Sequence, residues 1–357
     1  MIDFWAPLAL ATSTAALLAI PVTPALYELW KRKDAGPLPT SRHDGAIDNF
    51  ADTLRAEVAA IRPELDACRN RRECSRVRLQ GMNVLIVGEK YFAFSDSQVQ
   101  DVALIACSCD TTVPVGALIK ADVYSDGNLN LECGAVARAA VARGDVTLGE
   151  QSTVLRWLSA NGDVYLRENS TAYGRVSGAS IHISAGCGFQ RLFARTILTL
   201  DASGPAFVQS SNPKPNPAEL HEAASGTHLA RRQRTRADGD FSLPPNEALE
   251  ANLIVTGSLR LGRNSGFCGS AKSYKDAVFE EGVTVRGSFV CSRSLHIGPN
   301  CFVAGPIMAE DEVIIERGCR IGAPDSPTTV SARRIRIAPG CQLHGTVWAR
   351  VQGSIES

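Results

Sequence analysis

The 357-residue chain balances 37 Lys plus Arg against 37 Asp plus Glu, so no global field draws it to nucleic acid or to acidic lipid. Hydrophobic residues at 45% and charged residues at 21% exclude wholesale disorder, and aromatics at 6% beside 30 glycines favour a thin repetitive interior over a conventional globular core. Eleven cysteines are too sparse for a disulfide-dense secreted domain, and no C-x-x-C pair or Cys–His spacing points to a metal; they read as reduced, buried fillers.

From Phe4 to Tyr27 no residue is charged. At 1.5 Å per residue these 24 positions make roughly 36 Å of helix, enough to cross a hydrocarbon core of about 30 Å. A secretory signal would carry positive charge ahead of its apolar stretch, whereas here Asp3 precedes it and Lys31, Arg32 and Lys33 follow. The positive-inside rule therefore predicts residues 1–30 as a single-pass anchor in the cytoplasmic membrane, N-terminus outside and the remainder in the cytoplasm. Trp5, Tyr27 and Trp30 lie where interfacial aromatics belong.

Residues 31–79 read as a linker followed by an amphipathic helix, with Ile47, Phe50, Leu54, Val58, Ile61 and Leu65 at steps of three and four. Pro63 is expected to kink or divide it. Its apolar stripe is expected to cap the open end of a solenoid, with a partner helix as the alternative cover.

The informative feature is a repeat of 17–18 residues, which predicts an all-β solenoid, a parallel β-helix with one period per coil. In the C-terminal block, residues 238–357, the second apolar residues of successive short strands are Leu243, Leu261, Phe279, Ile297, Ile315 and Ile337, at steps of 18, 18, 18, 18 and 22. Four residues on stand Glu247, Ser265, Val283, Cys301, Cys319 and Cys341; six on stand Leu249, Phe267, Val285, Val303, Ile321 and Leu343. Eight on stand Ala251, Gly269, Gly287, Gly305, Ala323 and Gly345, a column suited to a corner. Cys301, Cys319 and Cys341 are thus predicted to point inward as a ladder, with Gly269, Gly287, Gly305 and Gly345 as its corners.

Residues 80–202 carry the same grammar on Val115, Leu131, Leu148, Leu166 and Ile183, followed four residues on by Ile119, Ala135, Ser152, Ser170 and Cys187. Between the blocks, residues 203–237 lose the period and read as an exposed excursion. Its basic run, Arg231, Arg232, Arg234 and Arg236, has no interleaved aromatics and reads as a solvated linker, with no nucleic acid expected.

The coils SLHIGPNCFVAGPIMAEDEVIIERGCRIG and RIRIAPGCQLHGTVWAR resemble those of the bactofilin family, polymer-forming bacterial cytoskeletal proteins. The middle block, with DVYSDGNLNL, VLRWLSANGDVYL and AYGRVSGASIHI, is similar to a longer, membrane-anchored branch of that family. The resemblance implies a right-handed triangular β-helix that assembles end to end without nucleotide. The excursion and the N-terminal module depart from the small members of that family.

No catalytic, cofactor or metal residue is predicted. The rival readings are a β-helix enzyme, such as a hexapeptide acyltransferase, and a non-polymerising membrane-tethered adaptor for envelope or polysaccharide machinery. Asp145 and Asp163 stack at a spacing of 18 after glycines and read as a repeated turn, and the histidines read as solvent-facing. Arg260, His296 and Arg336 in one column, with Trp157 and Trp348, are candidate adaptor contacts. Because only a few residues follow the last coil, residues 335–350 are expected to form a sticky end. Leu343, Val347 and Trp348 are the candidate contacts for self-assembly there.

Overall fold

A computed structural model describes residues 48–88, 99, 101–200 and 234–356, with isolated positions among the first 23. Two thirds of the predicted span 4–27 falls outside the described residues, and no helix among the described residues is long and apolar enough to cross a membrane. Contacts divide the chain at Ala46, and the solenoid lies within the second unit, Ile47–Ser357.

Short strands with a buried, outward, buried pattern recur through the coils, as in Leu259–Leu261, Ala277–Phe279 and Leu295–Ile297. This is the period-two alternation of an extended chain, with every second side chain entering a shared interior. Each coil contributes to three parallel sheets, and each strand pairs with its equivalent one coil later: Leu261 opposite Phe279, Phe279 opposite Ile297, Ile297 opposite Ile315. The six predicted anchors Leu243, Leu261, Phe279, Ile297, Ile315 and Ile337 are all buried in one core.

The corners have two distinct causes. Three residues past each anchor the chain turns through the left-handed region at Asn246, Asn264, Gly282, Asn300, Gly318 and Gly340, with φ from +55° to +76°. Asn and Gly reach that conformation at least cost, and these two residue types alone fill the column. The predicted glycine column is needed chiefly for close approach. A Cβ at Gly269, Gly287, Gly305 or Gly345 would lie 2.1, 2.2, 2.2 or 2.3 Å from a carbonyl oxygen of the preceding coil. Gly305 shows that sterics suffice, because its φ is not positive.

Cys301, Cys319 and Cys341 are buried as predicted. Their thiols donate to the carbonyls of Glu280, Gly298 and Glu316 at 3.0–3.1 Å. The adjoining thiols of Cys301 and Cys341, with burial, push Cys319 far above the ordinary thiol range and keep it protonated.

Block one begins with an antiparallel hairpin of β1 (Cys74–Leu79) and β2 (Met82–Val87), from which β2 enters the parallel stack beside β3 (Leu104–Cys107). The stack continues through β5 (Leu118–Ser125), β7 (Val136–Ala142), β10 (Trp157–Ala160), β12 (Thr171–Ile183) and β13 (Gly188–Thr199). Block two begins at β14 (Arg234–Ala237), β15 (Phe241–Leu243) and β16 (Ala248–Glu250), and ends at β29 (Thr328–Ile337) and β30 (Gln342–Ile355). The excursion is therefore shorter than predicted at its C-terminal side: Arg234 and Arg236 belong to a strand paired in parallel with Asn252–Val255.

The two blocks form one continuous core, and they meet tail to tail. Strand β13 pairs antiparallel with β30, setting Phe189 opposite Gly353, Leu192 opposite Val347 and Ile197 opposite Leu343. Thr199 fastens the rim: its hydroxyl donates to Ala338 O at 2.9 Å and accepts from Cys341 N at 2.8 Å. Strand direction reverses at this seam while the hydrophobic interior runs through it.

The amphipathic segment forms α1 (Asn49–Ala60) and α2 (Arg62–Arg71), divided at Ile61 ahead of Pro63 as expected. It does not cap an end. Leu54, Val58, Ile61 and Leu65 pack on the flank, against the outward residues Val84, Ile86, Leu104, Ala106, Tyr124 and Val141. The strand sequences VLIV and LIAC are apolar on both faces, so they need a cover that a solvated flank cannot give. Burying those four helix side chains contributes roughly 6–12 kcal/mol gross.

Charge fixes the docking. The Asp126 carboxylate, 3% exposed, accepts from Arg62 at 2.7 and 3.0 Å, Arg69 at 2.6 Å and Arg143 at 3.1 Å. Burial alone would raise its pKa, but the arginines outweigh burial and hold it below the ordinary carboxylate value.

Candidate functional site at the junction groove

On the outer face of the first sheet, the register carries one position across four neighbouring strands. Trp157 on β10 stands opposite Arg175 on β12, Arg175 opposite Arg191 on β13, and Arg191 opposite Trp348 on β30. Neighbouring strands lie about 4.8 Å apart, so two arginines sit side by side between two indoles. A register shift in β12 between Ala172 and Arg175 sets this alignment. Gly174 makes the shift sterically feasible, because a Cβ there would lie 1.2 Å from Arg156 O.

These residues line a groove of about 330 Å³, which Phe50, Arg156 and Arg350 help to enclose. The Arg175 guanidinium lies over the Phe50 ring at 4.8 Å and Arg191 over the Trp348 ring at 5.0 Å. Such stacking contributes about 0.5–1 kcal/mol at exposed sites and fixes the plane of the fork. Arg191 Nε is buried with no acceptor. Burial, and then the neighbouring Arg175 charge, lowers the Arg191 pKa. Arg350 donates to Glu310 O at 2.6 Å.

The predicted contacts separate into three fates. Trp157 and Trp348 come together in this groove, with Trp348 42% exposed. Leu343 and Val347 do not form an open end: both are 1% exposed beneath β13, so the edge expected to recruit another copy is occupied by the chain's own first block. Each member of the column Arg260, His296 and Arg336 has a carboxylate partner on the surface. Arg260 pairs with Glu280, His296 Nε2 with Glu316 at 3.0 Å, and Arg336 with Glu312 at 3.0 Å.

Not every histidine faces solvent. His344 is 5% exposed because β13 covers it, and its Nδ1 lies 2.8 Å from Arg195 O. His182 stacks on Tyr165 of the preceding coil, with centroids 4.8 Å apart. The Asp145 and Asp163 carboxylates accept backbone N–H from Asp163 and Ser180 at 2.8 and 3.0 Å, within a turn ladder that Asp110 and Asn128 begin. Among the described residues no group of three or more His, Cys, Asp or Glu could hold a metal ion.

The basic members of the groove, Arg156, Arg175, Arg191 and Arg350, were not singled out in the sequence. The local signal was slight: Arg156 precedes Trp157, and Arg350 follows Trp348 by two residues. Comparison with family models, with curated proteins and with solved structures gives no match for this chain.

Proposed function

We propose that this chain is a bactofilin-like scaffold, a self-closed β-helical rod tethered at the membrane through residues 4–27, which holds partners along its flank rather than catalysing a reaction. One observation carries the reading: β13 and β30 seal the last coils of the two blocks against each other. A free end that would otherwise drive growth is spent inside the molecule.

The two remaining ends carry features that discourage strand addition. Edge strand β1 presents Arg76 and Arg78, and the opening coil of block two presents Arg234 and Arg236 with Pro244 and Pro245 beside β15. Envelope or polysaccharide machinery is the partner class consistent with a membrane tether. A second reading, end-to-end self-assembly, is favoured by the half-buried Phe241 and Leu249 of that opening coil.

The test uses the full chain in detergent micelles, with light scattering and negative-stain imaging. Monomeric rods of about 60 Å are expected from the strand spacing of the first sheet. Filaments would replace this reading with end-to-end assembly. The tether is tested separately: a tag after Ser357 should resist protease added to intact cells, and its digestion would remove the proposed topology.

A further inference from the structure

Outside the groove, several outward arginines meet carboxylates one coil away: Arg138 with Asp122 at 2.6 Å, Arg143 with Asp126, Arg260 with Glu280 and Arg336 with Glu312. Within the groove no acidic residue lines the wall, and among the described residues Arg156, Arg175 and Arg191 have no carboxylate partner. Two of these guanidiniums come from residues in register on adjacent strands, at a mutual Coulombic cost that no carboxylate in the wall offsets. Arg191 also leaves Nε buried and unsatisfied, an arrangement that is unfavourable until an acceptor arrives.

We propose that the junction groove is a binding site for a phosphate-bearing anion, gripped by Arg156, Arg175 and Arg191. The ring contacts explain why the arginines serve an anion and not one another. Phe50 and Trp348 each lie against one guanidinium, which restricts the orientations open to its N–H donors.

A carboxylate offers one charge and two oxygens, enough for a single fork. A phosphate group offers up to two charges and three acceptor oxygens, which match several converging guanidiniums better. A volume of about 330 Å³ admits a pyrophosphate-sized group with water.

The site is also shared between blocks, since β10, β12 and β13 belong to the first and β30 to the second. The Arg191 fork that would hold the anion lies against Trp348 of the second block, so anion binding at this fork requires the seam to be in place. Binding therefore favours the sealed junction by mass action. The inference does not depend on the scaffold reading.

The experiment titrates the full chain in neutral detergent with inorganic pyrophosphate by calorimetry, following thermal unfolding in parallel. A second arm compares micelles doped with phosphatidic acid and with phosphatidylcholine. Saturable pyrophosphate binding that weakens with salt is expected, with a rise in melting temperature. Arg175→Gln should weaken binding at least tenfold, and Arg191→Lys, which keeps the charge and loses the fork, should weaken it less. Arg260→Gln, outside the groove, should bind as wild type. Response to phosphatidic acid but not to pyrophosphate would also support the site and assign its phosphate to a lipid headgroup. No response in either arm would overturn the proposal. So would an Arg175→Gln variant with an unchanged circular dichroism spectrum and unchanged affinity.

Discussion

Gly353→Ala tests the tail-to-tail seam. A methyl at Gly353 would lie 2.2 Å from Phe189 Cε2 and 2.5 Å from Cζ. The Phe189 ring is 2% exposed and belongs to the core, so it cannot swing into solvent to make room. Overpacking of this kind costs about 1–3 kcal/mol, and a rigid aromatic neighbour places the value near 2 kcal/mol. That magnitude corresponds to up to ~30-fold more opening of the seam. Hydrogen exchange resolved to peptides should show it in residues 188–199 and 342–355, with the central coils of each block unchanged. Phe189→Ala alone should destabilise by about 3–5 kcal/mol. In the double variant the methyl enters the vacated space, so the two costs should fall short of additivity by about 1–2 kcal/mol. Wild-type protection in Gly353→Ala, or strict additivity in the pair, would show that β13 and β30 are not packed as described.

Asp126→Asn should release the helices from the flank, because it removes the charge that Arg62, Arg69 and Arg143 share. The arginines are part-exposed and can rehydrate, so the loss should be about 2 kcal/mol, read as faster exchange in residues 49–71 with the coils intact. The Asp126 pKa is lowered on folding, so its contribution is fully present above the unfolded value of about 4 and disappears as pH falls through the folded one. Wild-type helices should therefore loosen in acid, and those of Asp126→Asn should not show this step; equal acid sensitivity in both would rule out the clamp. Cys319→Ser should be mild, since a hydroxyl can donate to Gly298 O as the thiol does, at a cost of about 1–3 kcal/mol if it fails. Cys319→Arg should unfold the surrounding coils, and unchanged melting of that variant would contradict the inward ladder.

Much of this fold was legible in the sequence because a solenoid is nearly one-dimensional, each coil touching only its neighbours. The period, the inward anchors, the thiol ladder, the close-approach glycines and the Asp145–Asp163 turn all follow from contacts one coil away, which a fixed spacing records. The division of the helix at Pro63 is local in the same sense. The tertiary structure alone decided what involves distant parts of the chain. The seam pairs Ile197 with Leu343 and reverses strand direction, and no repeat spacing encodes which end of one block meets which end of the other. The two-sided apolar strands VLIV and LIAC announced that something covers the flank, but only packing showed that α1 and α2 do so. The Trp157–Arg175–Arg191–Trp348 row exists because one register shift and one antiparallel seam bring four remote positions onto adjacent strands. Contacts made across such distances leave no period, so this groove became visible only in the folded chain.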